Sequence, residues 1–240
     1  MAYYKLLEAL REPGCPICRL GRKTVSAYLE ALLYENVNDP GVREKIQAAW
    51  GFCTYHGHEL ATLGDALGLG IIYSDLVSAA IEQLAPLAAR STAISTRKKR
   101  LPWPFRPRLT GEPDLTPRAI CPACENQKEA FERYCEELMS AISEPEIEEA
   151  FRQSDGLCLE HLRQCLSWTR IEPRERLASA RRKLAILEMV KFRDLAGELA
   201  ELLRKYDYRY AKEPPGKESD SWRRAIAKIS GTTKSCEERG

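Results

Sequence analysis

Cys15-Pro16-Ile17-Cys18 is the stretch on which the interpretation of this chain depends, because a near copy, Cys121-Pro122-Ala123-Cys124, follows in the second half. Each copy precedes a second pair, Cys53-x-x-His56 or Cys158-x-x-His161. Two cysteines separated by two residues can bind one ion from a single turn of backbone, and a Cys/His pair completes the tetrahedral set that Zn2+ prefers. The sequence therefore predicts two Cys3His metal sites, one in each half. The predicted ligands are Cys15, Cys18, Cys53 and His56 in the first half and Cys121, Cys124, Cys158 and His161 in the second.

A wider match surrounds these pairs and predicts an internal duplication. The apolar set Val25, Tyr28, Leu29, Leu32 and Leu33 matches Phe131, Tyr134, Cys135, Leu138 and Met139. Spacing of i, i+3, i+4, i+7 predicts a helix with one buried face in each half. We therefore expect an all-α fold of two duplicated helical modules, 1–90 and 119–205, each with its own Cys3His site.

The same match between the two halves also predicts where the remaining cysteines and the third histidine lie. Cys135 and Cys165 stand where the first half has leucines, which predicts small core side chains rather than redox thiols. His58 stands where the second half has Arg163, which predicts a surface position, and Cys236 has no counterpart.

Residues 91–118 are predicted to be a basic, proline-rich linker. Six Lys/Arg residues occur between Ser91 and Leu109 without an acidic residue, and Trp103 and Phe105 lie among them. Such a segment can bind nucleic acid through phosphate contacts and base stacking. A solvated linker that contacts no partner has the same composition, so both interpretations remain open.

After His161 the pattern predicts a long helix, 173–205, which could supply the seam of a homodimer. The segment 206–240 is rich in Tyr, Trp and Arg, a composition typical of protein-binding surfaces. A short helix within it either presents Trp222 to a protein partner or packs Trp222 and Ile226 against the rest of the chain.

Composition bears on the compartment and the class of partner. The chain has 240 residues, 30% of them charged, and a formal net charge of only +2, so no overall charge attracts it to nucleic acid or membranes. We find no signal-peptide pattern, and the most apolar stretch, 71–87, contains Asp75 and Glu82. We expect a cytoplasmic protein without a membrane partner, in which the nine cysteines serve mainly as metal ligands.

The ligand sets favour structural zinc, two ions per chain, because four protein ligands leave no open coordination position. An iron-sulfur cluster is the alternative, although all-thiolate ligation is the rule for clusters. A thiol redox role is a further alternative, but no strand pattern surrounds either Cys-Pro-x-Cys pair as thioredoxin-like folds require. No phosphate loop or nucleophile triad is present, so we expect a non-enzymatic binding or regulatory protein.

The chain resembles an uncharacterised bacterial family, a domain of unknown function. Its members are helical proteins with two C-P-x-C…G-[FL]-C-x-x-H units and a C-terminal R-K-x-D-Y-R-[YF]…G-K-E-x-D-S-W-R-R-A phrase, here Arg204 to Ala225. The resemblance implies the helical architecture and the two metal sites, and it implies no particular activity.

Overall fold

A computed structural model describes residues 1–92, 114–210 and 213–231. Within these ranges the regular structure is helical and contains no strand, which confirms the all-α prediction. The α-helices are α1 (Ala2–Leu10), α2 (Pro16–Ala31), α3 (Pro40–Ala48), α4 (Thr54–Thr62), α5 (Ala66–Thr92), α6 (Pro122–Ala141), α7 (Pro145–Gln153), α8 (Leu159–Ser167), α9 (Arg174–Lys205) and α10 (Ser221–Ser230). A π-helical turn, Leu32–Asn36, continues α2, and a 3-10 turn, Lys217–Asp220, precedes α10.

Local sequence signals explain where the helices of each half begin. The side chain of Asp39 accepts a hydrogen bond of 2.8 Å from the backbone N–H of Val42, and Pro40 occupies the first turn of α3. Cys53 and Cys158 occupy the N-cap positions of α4 and α8. The helices α2, α3 and α4 are thus followed by α6, α7 and α8 in the same order, while the duplication itself stays a prediction.

The chain forms two compact units, one of which consists of residues 25–126. The predicted helical face of α2 lies in its core, where Val25, Leu29 and Leu32 are buried and Tyr28 and Leu33 are partly buried. The other buried members of this core are Val37, Ile46, Leu60, Ile72, Leu76 and Ala123. Helices α3, α4 and α5 thereby pack around the C-terminal half of α2.

The other unit combines Met1–Thr24 with Gln127–Gly240. Its largest fully buried side chains are Leu6, Leu10, Ile17, Leu138, Met139, Ile142, Ile147, Leu157 and Phe151. Leu177, Leu184 and Leu187 of α9 are buried against this core. The N-terminal helix α1 therefore belongs to the same core as the second half of the sequence.

This division corrects the predicted boundaries, because the units are not the two halves 1–90 and 119–205. The boundaries fall inside α2 and inside α6. Much of the predicted linker, 93–113, including its basic and aromatic residues, lies outside the described residues. Its last part is held in place, because the backbone N–H of Arg118 donates to the carbonyl of Ala48 at 2.8 Å.

One described helix, α5, contains a window whose length and composition would suit a membrane span. The window is Ala66–Ala85, with a mean hydropathy of 1.2, and 17% of it is buried. Length and composition alone are weak evidence, and the expectation of no membrane partner stays a prediction.

Candidate metal sites

The eight predicted ligand residues form two groups, and within each group the ligand atoms lie within 4.8 Å of one another. The first, here called the buried cluster, consists of Cys15, Cys18, Cys158 and His161. The second, the half-buried cluster, consists of Cys53, His56, Cys121 and Cys124. The predicted pairing is therefore wrong, since each Cys-Pro-x-Cys pair meets the Cys-x-x-His pair of the other half.

The division of the chain inside α2 explains why a set from one half does not close on itself. Cys15 and Cys18 precede Thr24 and belong to the unit that also contains Cys158 and His161. Cys53 and His56 belong to the other unit, residues 25–126, together with Cys121 and Cys124. Ligand spacing in a sequence does not reveal this division.

The interatomic distances fit one tetrahedral ion in each cluster. Zn–S bonds of about 2.3 Å and Zn–N bonds of about 2.0 Å place two sulfurs about 3.8 Å apart and sulfur and nitrogen about 3.5 Å apart. The Sγ atoms of Cys18 and Cys158 are 3.7 Å apart, and those of Cys53 and Cys124 are 3.6 Å apart. The Nδ1 atoms of His161 and His56 lie 3.1–3.5 Å and 3.3–3.7 Å from the sulfurs of their clusters.

These distances bear on the iron-sulfur alternative. In a cluster of several irons, each thiolate binds a different part of the inorganic core, which holds the cysteine sulfurs well apart. Here the sulfurs of each group are almost in van der Waals contact. The donor sets therefore fit a single tetrahedral ion better than an iron-sulfur core.

Charged residues of α9 and α10 hold the loop that leads into Cys158. Glu188 accepts a hydrogen bond of 2.5 Å from the backbone N–H of Leu157 and forms an ion pair of 2.7 Å with Lys228. Lys228 also donates to the carbonyl of Asp155 at 2.8 Å. Glu188 is 1% exposed and Lys228 7% exposed, so the pair is buried. We call this pair the loop clamp.

Gly156 is required inside this loop for two reasons. Its φ of 73° lies in the left-handed region, which side chains disfavour. A Cβ at this position would also stand 2.5 Å from Oε1 of Glu188 and 2.6 Å from Cδ of Lys191. Gly51, its counterpart in the predicted duplication, has a φ of 93°, and a Cβ there would meet Leu76 at 3.0 Å. The contact beside Gly51 is therefore apolar, whereas the contacts beside Gly156 include the charged side chains of the loop clamp.

Aromatic packing fixes the imidazole of the buried cluster. The ring of Phe131 contacts that of His161 edge-to-face, with centroids 4.4 Å apart. Phe131 fits only because residue 21 is glycine, since a Cβ at this position would stand 2.1 Å from the Phe131 ring. Nδ1 of His161 faces the sulfurs, while its Nε2 is buried without a hydrogen-bond partner among the described residues. The ring orientation therefore presents Nδ1 as the ligand atom.

The two clusters differ most in exposure. In the buried cluster Cys15, Cys18 and Cys158 are 5%, 8% and 1% exposed. The C-terminal end of α10 covers it, since a Cβ on Gly231 would stand 3.6 Å from Sγ of Cys18. All three cysteines of the half-buried cluster are only partly buried, although His56 is 2% exposed. Solvent reaches one set of sulfurs and hardly reaches the other.

Electrostatics within the buried cluster favour a bound cation. Burial raises the pKa of the Cys15 thiol, whereas hydrogen bonds from Cys15 and Cys158 lower the pKa of Cys18. Burial also lowers the pKa of His161, but hydrogen bonds with Cys158 and Cys18 outweigh it and raise the pKa to about 10. A divalent cation held by these donors would let all three thiols ionise together.

The C-terminal phrase holds α10 in place. Glu218 accepts hydrogen bonds from Lys205 at 2.7 Å and from the backbone N–H of Gly216 at 2.8 Å. Arg224 pairs with Glu198 and with Asp220. These contacts explain Glu218, Asp220 and Arg224 as supports for the helix that covers the buried cluster.

A cleft with a volume of about 1030 Å3 lies in the same unit, beside the buried cluster. Trp222 and Ile226 of α10 line it and remain 48% and 53% exposed, so the interpretation that both pack against the rest of the chain is wrong. The guanidinium of Arg223 lies 5.0 Å from the Trp222 ring centre. The cleft is further lined by Pro13, Gly14, Cys15, Arg19, Asp155, Lys191, Asp194 and Leu195, among others.

The other cysteines and the third histidine stand apart from both clusters. Cys135 and Cys165 are 0% exposed in the core of their unit, which confirms their interpretation as core residues. His58 is exposed, as predicted. Cys236 lies outside the described residues. The loop clamp could not be predicted from the sequence, because nothing in the composition of α9 distinguishes Glu188 from the other acidic residues of this helix.

Fold and site together define an all-α protein with two Cys3His clusters, each built from both halves of the sequence. The chain belongs to the family described as "Family of unknown function (DUF6062)", which matches residues 5–236. A relative from Caldicellulosiruptor sp. (strain Rt8B.4), an uncharacterized 23.9 kDa protein in the xynA 3′ region, is 26% identical over 230 residues, covering 95% of this chain and 100% of the relative. No solved structure matches the chain. The resemblance found from the motifs is thereby confirmed.

Proposed function

We propose that the protein binds two Zn2+ ions per chain in closed Cys3His sites and acts as a non-enzymatic binding protein. The observation that supports this most is the convergence of eight sulfur and imidazole donors into two groups at tetrahedral spacing. In each group two sequence segments from different halves meet. A bound ion would therefore stabilise the packing of segments that are distant in the sequence, by an amount on the order of 10 kcal/mol.

The ligand count supports a structural role for the ions. Catalytic zinc keeps a coordination position for water or substrate, whereas four protein ligands fill the coordination shell. Apart from the two ligand histidines, the sequence contains only His58, which is exposed. No further histidine is therefore available to act as a general base near either cluster.

Metal analysis of protein purified without added metal tests this proposal. We expect about two zinc ions per chain and no visible absorbance. His56→Ala should reduce the content to about one ion, while the neighbouring control His58→Ala should retain both. Iron with inorganic sulfide, or a His56→Ala protein that keeps two zinc ions, would contradict the proposal.

We further propose that the cleft beside the buried cluster binds an acidic segment of a protein partner that carries large apolar side chains. Trp222, Ile226 and Leu195 offer apolar surface there. Arg223 and Arg19 line the same cleft, and neither forms a salt bridge among the described residues. Of the acidic lining residues, Asp220 and Glu198 are paired with Arg224. Aromatic and arginine side chains of this kind dominate binding energies at protein interfaces.

Selection from a displayed library of random peptides would test this surface. The zinc-loaded parent protein should enrich sequences that combine Asp or Glu with aromatic or aliphatic residues. A Trp222→Ala, Arg223→Glu variant should bind the enriched peptides at least tenfold more weakly. Tyr34→Ala, which removes an exposed aromatic residue of the other unit, is the control and should bind them unchanged. Equal binding by the cleft variant would refute the assignment.

A further inference from the structure

We infer that the half-buried cluster is a site of oxidative modification, at which a hydroperoxide converts Cys53 and Cys124 into a disulfide and the bound ion is released. The inference rests on the metal binding proposed above. It assigns different properties to two clusters that have the same ligand types.

Proximity of sulfurs does not distinguish the clusters. Cys53 and Cys124 have Sγ atoms 3.6 Å apart, and Cys18 and Cys158 have Sγ atoms 3.7 Å apart. Formation of a disulfide from either pair requires the sulfurs to approach to about 2.05 Å. Both pairs are therefore equally close to the geometry of a bond, and another property must decide which one reacts.

The clusters differ in how easily an oxidant reaches their sulfurs. Thiolate reactivity follows ionisation and solvent exposure, and buried structural cysteines are inert. The cysteines of the half-buried cluster are partly exposed, while those of the buried cluster are at most 8% exposed. Gly231 at the end of α10 and the ring of Phe131 pack against the buried cluster from two sides. A peroxide therefore reaches Cys53 and Cys124 more readily than Cys18 and Cys158, which are 8% and 1% exposed.

The location of Cys53 and Cys124 lets the disulfide form within one unit. Cys53 caps α4, and Cys124 lies in the first turn of α6, in the part of that helix that belongs to residues 25–126. No core side chain lies on the line between two sulfurs 3.6 Å apart. Small movements of two helix termini therefore suffice to close the bond.

The reaction balances with hydrogen peroxide as the oxidant. One thiolate of the pair attacks a peroxide oxygen, the O–O bond breaks, and the departing hydroxide takes a proton to become water. The resulting sulfenic acid is attacked by the second thiolate, the S–S bond forms, and a second hydroxide leaves and is protonated. Two thiolates lose two electrons in total, and the peroxide is reduced to two waters. Only Cys121 and His56 then remain as donors, too few to retain the ion.

The test measures zinc release from the zinc-loaded full-length protein during exposure to hydrogen peroxide, using a chromogenic zinc indicator. We expect one ion per chain to be released at least tenfold faster than the other, with a Cys53–Cys124 disulfide found by mass spectrometry. Release of both ions at the same rate, or first oxidation of Cys18 or Cys158, would overturn the inference.

Two single-site variants separate this inference from the proposed function. Cys18→Ser should retain only the half-buried site and release its ion at the parent's fast rate. Cys124→Ser should retain only the buried site and resist. An untreated parent without two zinc ions would refute the proposed function itself. A parent with two ions that are lost alike would refute only the inference.

Discussion

The loop clamp provides the sharpest prediction about stability. Removing Glu188 by Glu188→Ala would leave Lys228 buried without its carboxylate and the backbone N–H of Leu157 without its acceptor. Breaking a buried ion pair from one side costs about 3–5 kcal/mol. The orphaned amide costs about 1–3 kcal/mol of its own, but Lys228 keeps its bond to the carbonyl of Asp155. We therefore expect Glu188→Ala to lower the free energy of unfolding by about 3–5 kcal/mol.

Two further variants separate the contribution of the unpaired charge from that of the lost hydrogen-bond acceptor. Glu188→Gln keeps an acceptor for Leu157 but removes the charge, so it should be less destabilising than Glu188→Ala. Adding Lys228→Met to Glu188→Gln removes the unpaired charge and should recover most of the loss. The control is Glu160→Ala, which breaks the exposed pair with Arg163 and should change stability by less than about 1 kcal/mol.

Urea unfolding followed by circular dichroism measures these differences at one fixed concentration of free zinc, because bound zinc adds to stability by mass action. Since the clamp positions the loop that leads into Cys158, Glu188→Ala should also weaken zinc binding by the buried cluster about 10–100-fold. A Glu188→Ala protein as stable as the Glu160→Ala control would show that the clamp does not support this loop.

Three further predictions concern single residues. Gly156→Ala should strongly destabilise the protein in urea unfolding, because the new Cβ would meet the loop clamp. Gly197→Ala, in open space on α9, is the control and should stabilise the protein by about 0.5–1 kcal/mol. Equal effects of the two substitutions would contradict the steric argument. Asp39→Ala should lower the free energy of unfolding by about 1 kcal/mol, because it removes the N-cap hydrogen bond of α3. An unchanged midpoint of urea unfolding would contradict a stabilising role for this cap. Glu218 has its pKa lowered to about 2 by its hydrogen bond with Lys205, so its contribution should be complete above its ordinary pKa of 4.5 and decline as the pH falls towards 2. The stability difference between the parent and Glu218→Gln should therefore shrink below pH 4.5, and a constant difference would refute this origin.

Periodicity and capping signals were sufficient to predict most of the fold. The apolar face of α2, the Asp39 cap and the long helix α9 all follow from local rules that hold regardless of tertiary structure. The outward orientation of Trp222 on α10 did not follow, because a short helix with apolar residues on one side and Lys228 on the other can turn either side inward. Here the loop clamp turns Lys228 inward.

The identity of the candidate ligands was predictable from residue type and spacing, but their partners were not. Cys15 and Cys53 belong to the same half of the sequence, and simple spacing favours a common site. In the structure Cys15 belongs to one compact unit and Cys53 to the other, a division of the chain inside α2 that spacing does not encode. The difference in exposure between the clusters could not be predicted from spacing either, because it depends on Gly231 and α10, which cover one of them.

Cysteine footprinting of Cys18→Ser tests the crossed assignment of ligands most directly. The zinc-loaded variant and its parent are treated briefly with iodoacetamide in parallel, and the labelling of each cysteine is compared by mass spectrometry. If the clusters are as described, loss of Cys18 frees its true partners, so Cys158 should gain labelling relative to the parent while Cys53 should not. If instead Cys53 gains labelling and Cys158 stays protected, each half binds its own ion and the crossed arrangement is wrong.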